Sequence, residues 1–162
     1  MMQRHALLAL VLIAGAAHAQ DAITVAGALA VVNASEAATK QHDVVKAASF
    51  MTQDCVILSY MPQPDGSKAG KQRSRDEYVR EEQESEKAAT DHIYTSTKPT
   101  LTIVRDQAIA KFRATEKATF DGKHTVVDAD EIVTLEMRDG RAQIVKVEVT
   151  ATGMTVDGKR AF

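Results

Sequence analysis

Two Asp-Gly pairs, Asp121-Gly122 and Asp139-Gly140, each separate long stretches in which apolar and polar residues alternate. Asp-Gly offers two consecutive residues that tolerate positive φ, which the tightest hairpin turns demand. Alternation with period two marks a strand with one buried face. Before the first pair, Ala108, Ala110, Phe112, Ala114, Ala118 and Phe120 alternate. One strand is then expected over 124–137 and a last one over 141–151. A shorter strand starts at Leu101 and Ile103 and turns at Arg105-Asp106-Gln107. The chain must therefore build an antiparallel meander, and its N-terminal half has to cover one face.

That half reads as helical. Val25, Leu29, Val32, Glu36 and Thr39 recur at helical spacing, predicting a helix over 23–40. Asp43 is placed to cap a short helix over 44–51, with Val44, Ala47, Ala48 and Met51 on one face. A strand rich in β-branched residues follows over 55–61, then a loop dense in Pro, Asp and Gly over 62–67. Ser74 and Glu77 have capping-box spacing and open a third helix running to about Ala89, whose charges read as a solvated face. The order predicts one α+β domain over 20–151 with helices on one sheet face. Residues 152–162 read as a polar tail.

Residues 1–19, MMQRHALLALVLIAGAAHA, have a basic start, an apolar run and Ala17-His18-Ala19 at the end. This is the pattern of a cleavable signal peptide cut after Ala19, so a periplasmic or secreted protein is expected. Removing it leaves 143 residues with 19 basic and 22 acidic side chains, a balance of −3. Near-neutral charge without a basic cluster argues against nucleic acid and anionic membrane surfaces, and no later segment has transmembrane length. Cys55 is the only cysteine. It excludes an intramolecular disulfide and, in the apolar run Cys55-Val56-Ile57-Leu58, reads as a buried, inert thiol.

Several segments resemble the nuclear transport factor 2-like superfamily, including its SnoaL-like members, over roughly 25–150. They are His42-Asp43-Val44, the run from Phe50 to Ile57, Gly70 before the third helix, and Asp139-Gly140-Arg141-Ala142-Gln143-Ile144-Val145. The resemblance implies a curved antiparallel sheet wrapped as a cone around about three N-terminal helices, with polar groups inside it in the enzymes. Ala142 stands where the family usually carries Trp, a departure that should leave extra room or shift the packing. Isomerases of this layout have a carboxylate base near the end of the first strand, where this chain has Ser59-Tyr60-Met61. A phenol that ordinarily titrates near ~10 cannot replace it at neutral pH. Dehydratases of the fold use a His–Asp and Tyr arrangement, for which His92, His124, Tyr60 and Tyr78 supply the residue types. His124, just past a turn, is expected to face solvent, and His92, in a helix-to-strand connection, to serve a cap or face solvent.

Two acids interrupt otherwise apolar strand faces: Glu116 in the strand before Asp121, and Glu131 among Val127, Ala129, Val133, Leu135 and Met137. A buried carboxylate is costly unless paired, so such interruptions often mark pockets. A two-residue turn at Asp121-Gly122 pairs Phe120 with Lys123, Glu116 with Val127 and Phe112 with Glu131. The two acids then lie about 13 Å apart, too far to share a proton. The same construction at Asp139-Gly140 places Glu131 opposite Glu148 and Val133 opposite Lys146, which would neutralise either acid diagonally. A bulge or a sheet edge would change these pairings and turn the charges to solvent. The expected cavity residues are Tyr60, Tyr78, Phe112, Glu116, Glu131 and Lys146.

No metal site is expected from spacing, since the histidines after the leader form neither HxH nor HxxxH and Asp128-Ala129-Asp130-Glu131 lacks a calcium loop's Gly. Phosphate-loop and dinucleotide fingerprints are absent, so no cofactor is expected. Ile132, Val145, Val147 and Val149 read as one sheet face, Val133, Leu135, Ile144 and Met137 as the other. Two apolar faces predict a homodimer through the sheet. The sequence reading favours an exported, non-catalytic protein that holds a small apolar or amphipathic ligand in the cone, or a partner protein. Its alternative is a cavity lyase or isomerase with a buried glutamate as general base.

Overall fold

Eight strands form one open sheet, ordered β2-β1-β7-β6-β5-β3, with β4 also on β5 and β8 on β7, in the computed structural model of the protein. Residues 22–63 and 65–162 are described, and the leader expected at 1–19 lies outside them. The elements are α1 (Val25–Lys40), α2 (Val44–Ala48), β1 (Met51–Pro62), β2 (Lys68–Ser74), α3 (Arg75–Ala88), β3 (Ala89–Ser96), β4 (Thr100–Val104), β5 (Gln107–Phe120), β6 (Lys123–Arg138), β7 (Arg141–Val156) and β8 (Lys159–Arg160). No described helix is long and apolar enough to cross a membrane.

Local chemistry sets the ends of these elements. Thr24 caps α1, Asp43 caps α2, and Ser74 with Glu77 closes the capping box of α3. The hairpins turn where Asp-Gly stands, with positive φ at both residues of Asp121-Gly122 and Asp139-Gly140. A third pair, Asp157-Gly158, turns the same way. The residues expected as a tail from 152 therefore continue β7 to Val156 and fold back as β8.

The sheet is mixed rather than wholly antiparallel, because β1 pairs β7 in parallel. Alternation reports which face of a strand is buried, but not its direction relative to a strand some ninety positions away. The helices cover one sheet face. Ala28 and Val32 of α1 pack with Ala48, Ile57, Ala108, Ala110, Phe112, Leu135 and Ile144 in a continuous core. The alanines of β5 bring the sheet close under α1. Cys55 is buried in this core, and burial pushes its thiol up to about 12, so it is inert as a nucleophile.

The register between β5 and β6 is the one the turn dictates, with Phe112 opposite Glu131 and Glu116 opposite Val127. Between β6 and β7 it holds only as far as Leu135 opposite Ile144. There Val145 is an extra residue, and beyond it Val133 faces Val147 and Glu131 faces Val149. A one-residue bulge transfers every later side chain to the opposite face. Val147 and Val149 thus join the core side, while Lys146 turns away and pairs with Glu148 at 3.0 Å. The sheet's other side therefore carries exposed Lys111, Arg113, Lys117, Asp128 and Asp130 beside half-buried Ile109 and Ile132, without Val147 and Val149.

Candidate active site

Between the helices and the sheet lies a cavity of about 500 Å³. Its floor is apolar, made by Ile57, Val133, Ile144, Val147 and Val149 of the sheet with Ala47 of α2. Its wall is acidic, carrying Glu36 from α1, Glu82 and Glu86 from α3, Glu116 from β5 and Glu131 from β6. Lys71 and Arg73 of β2 stand at another side. Arg73 Nη1 lies 3.5 Å from both Glu81 and Glu82, and its guanidinium sits 5.5 Å over the Tyr78 ring.

Tyr94 organises the first polar group. Register with β5 sets Tyr94 opposite Glu116 on the core side of β3. Its hydroxyl donates towards Glu131 Oε1 at 3.1 Å and lies 3.3 Å from both oxygens of Glu36. Part of the Glu131 surface faces the cavity, yet protein surrounds the group and separates it from bulk water. Burial, then the charge of Glu36, pushes its carboxyl up to about 8, against the pull of the Tyr94 hydrogen bond. Burial also raises Glu36, opposed by Ser96 and Lys40. The Tyr94 phenol is pushed far above its ordinary range by burial and by the two carboxyls, so it stays a donor. One O–H cannot satisfy two carboxylates at once, and the group therefore retains an additional proton near neutral pH.

His92 organises the second. It stands at the start of β3, with Nδ1 2.8 Å from Glu86 Oε1 and Nε2 2.9 Å from Glu116 Oε1. Both nitrogens are cut off from solvent, and neither contact is aligned as a good hydrogen bond. His42 Nδ1 reaches the same Glu86 oxygen at 3.1 Å. The two imidazoles pack 4.6 Å apart, tilted by 44°.

Of the expected cavity residues, Tyr60, Tyr78, Glu116 and Glu131 line the space. Tyr60 fits because position 70 is glycine: a Cβ there would stand 3.1 Å from its ring. Phe112 does not line it. That ring shares its face with Glu131 but is buried in the core cluster with Ala28 and Val32. Lys146 does not line it either, turned away by the bulge at Val145. His124 is exposed as expected, whereas His92 is drawn inward by a strand, β3, that the sequence reading left as a connection. Glu36, Glu82, Glu86, His92 and Tyr94 were missed. Glu36 carried a usable signal, because it interrupts the apolar stripe of α1 as Glu116 and Glu131 interrupt their strands.

No family model matches this sequence, and no curated protein matches it. Solved structures do. The hexachlorocyclohexane dehydrochlorinase type 3 of Novosphingobium barchaimii superposes with a TM-score of 0.64 at 13% identity, over 81% of this chain and 88% of that one. A ketosteroid isomerase-like protein of Erwinia carotovora gives 0.55 at 17% identity, over 78% and 95%. A nuclear transport factor 2-like protein of Cytophaga hutchinsonii gives 0.55 at 13%, over 76% and 93%. The fold is thus the nuclear transport factor 2-like one, helices packed on a curved sheet, as the sequence resemblance implied.

Proposed function

We propose that this protein binds a compact, largely apolar small molecule in the cavity and moves a proton on it, as a lyase or isomerase. The observation that carries the reading is the Glu131 carboxyl, 3.1 Å from the Tyr94 hydroxyl and facing a cavity with an apolar floor. A carboxyl raised to about 8 is a stronger base than an exposed one, and its protonated form is available near neutral pH as an acid. In the ionised state it takes a proton from a carbon acid and becomes the neutral carboxyl. The electron pair left on carbon then expels a leaving group or is reprotonated at another carbon. Tyr94 holds the carboxyl in place and donates to its anionic form. Fold neighbours named as a dehydrochlorinase and as isomerase-like are consistent with this chemistry.

The leader at 1–19 supports placing this activity outside the cytoplasm, in the periplasm or beyond. The test is a thermal-shift screen of cyclic ketones, alcohols and halides, followed by incubation of each binder with the protein in heavy water. Deuterium entering the binder, or loss of its leaving group, with wild type and not with Glu131→Gln supports the reading. Binding without exchange or elimination refutes catalysis and leaves a ligand carrier.

A further inference from the structure

We infer that His42, Glu86 and His92 form a binding site for a divalent transition metal of the zinc class, in the wall of the cavity. The inference stands on residues other than Glu131 and Tyr94, so it survives or fails independently of the reaction proposed above.

The three ligands come from three elements: the turn after α1, the last part of α3, and the start of β3. One donor atom from each residue lies within 4.8 Å of the others, and Glu86 Oε1 stands 3.1 Å from His42 Nδ1 and 2.8 Å from His92 Nδ1. Zinc bonds of about 2.0–2.2 Å in tetrahedral geometry separate neighbouring ligand atoms by about 3.3–3.5 Å. The carboxylate and imidazoles therefore need to part by only a few tenths of an ångström. Two imidazoles and one carboxylate are the donors of a site that keeps positions open.

Two further observations point to a cation. The first is the surroundings of His92, whose two ring nitrogens each face a carboxylate oxygen, at 2.8 and 2.9 Å. Both nitrogens are buried, and neither is aligned with its carboxylate as a hydrogen bond. A metal on Nδ1 would give that nitrogen a partner. It leaves Nε2–H to donate to Glu116, and such a carboxylate behind the ligand is the usual support of a metal-bound histidine. The second is the backbone at His42. The His42 N–H bonds Thr39 O and the Asp43 N–H bonds Ala38 O, both at 3.0 Å, which is the closing pattern of a helix whose next residue is left-handed. Glycine is the ordinary occupant of that position, yet here a histidine holds φ 58° and points its ring at Glu86. That strain is retained where an imidazole is wanted.

Glu86 and His92 line the cavity, whereas His42 and Glu86 line a shallower groove outside it. An ion at their junction would sit between the two spaces. The signal was invisible in sequence because the ligands stand 44 and 6 positions apart instead of on one helix or hairpin.

Chelator-stripped protein titrated with cobalt(II), and then with zinc in competition, tests the site. A single equivalent of cobalt should develop visible ligand-field absorption that zinc displaces. His42→Gly and Glu86→Gln should each weaken binding by roughly tenfold or more, and Glu116→Gln by about 10–100-fold with unchanged stoichiometry. His124→Ala should leave the titration as it was. His42→Gly is the decisive variant because its backbone already suits glycine, so loss of folding does not confuse the result. Absence of a cobalt spectrum, or wild-type affinity in the His42→Gly and Glu86→Gln variants, overturns the proposal.

Discussion

Two polar groups in this cavity share a plan and differ in how they manage charge. In one, the Tyr94 hydroxyl lies between Glu36 and Glu131; in the other, the His92 ring lies between Glu86 and Glu116. Around Tyr94, burial is the largest influence on both acids and pushes them up. A phenol cannot supply positive charge, so this group keeps an extra proton. At Glu86 burial also pushes up, but the contacts and charges of His92 and His42 outweigh it and hold the carboxyl below its ordinary range. Two acids flanking a ring thus become a proton store where the ring is a phenol and water is excluded. Where the ring is an imidazole, with a second imidazole beside it, Glu86 is held anionic instead.

The largest effect that separates the two groups is on chemistry. Glu131→Gln keeps size but removes the carboxylate base, and should lower heavy-water exchange into a bound ligand by about 10²–10⁴-fold. Glu86→Gln should leave that exchange within a few-fold of wild type. Equal losses in both variants would mean that the two groups act as one.

Next in size is the dependence of stability on pH. Glu131 titrates near 8 in the folded protein and at its ordinary value of 4.5 when unfolded. Between these limits the unfolded chain releases a proton that the folded one keeps. Stability attributable to this residue therefore falls as pH rises through the window and levels off above about 8. At 1.36 kcal/mol per unit the decline is on the order of 5 kcal/mol. Urea unfolding from pH 5 to 9 should show a steeper loss in wild type than in Glu131→Gln, and parallel curves would place the carboxyl in water.

Tyr94→Phe probes the same group from its centre. It strips both carboxyls of their shared donor, which should cost about 1–3 kcal/mol at neutral pH in chemical denaturation. A neutral effect would mean that a different donor replaces the phenol.

The unequal legibility of the two groups has a physical origin. Capping at Asp43 and Ser74, the hairpins at Asp121 and Asp139, and the pairing of Phe112 with Glu131 are decided by neighbours in sequence, and all were readable there. Glu131 was readable as well, as a charge on an apolar face. Tyr94 and His92 were not, because β3 is short and polar and finds its place only by pairing with β5. Lys146 went astray through one inserted residue, Val145, which no alternation pattern announces. Interruptions of a local pattern expose single members of a site; the partners that convert them into chemistry arrive through non-local pairing.

The smallest effect bears most directly on why the imidazole group exists. His42 occupies a left-handed position that costs an L-residue about 1–2 kcal/mol, whereas glycine adopts it freely. Against this relief stand the greater freedom of glycine in the unfolded chain, about 0.5–1 kcal/mol, and an exposed His42–Glu86 contact worth a few tenths. His42→Gly in metal-free protein should thus gain a few tenths to about 1 kcal/mol, read as a raised urea midpoint with unchanged slope. The same variant should lose cobalt binding. A gain in stability coupled to a loss of binding identifies strain kept for a ligand. A loss of stability would instead make the imidazole a plain structural strut between α1 and α3, and the two groups of the cavity would cease to be variants of one design.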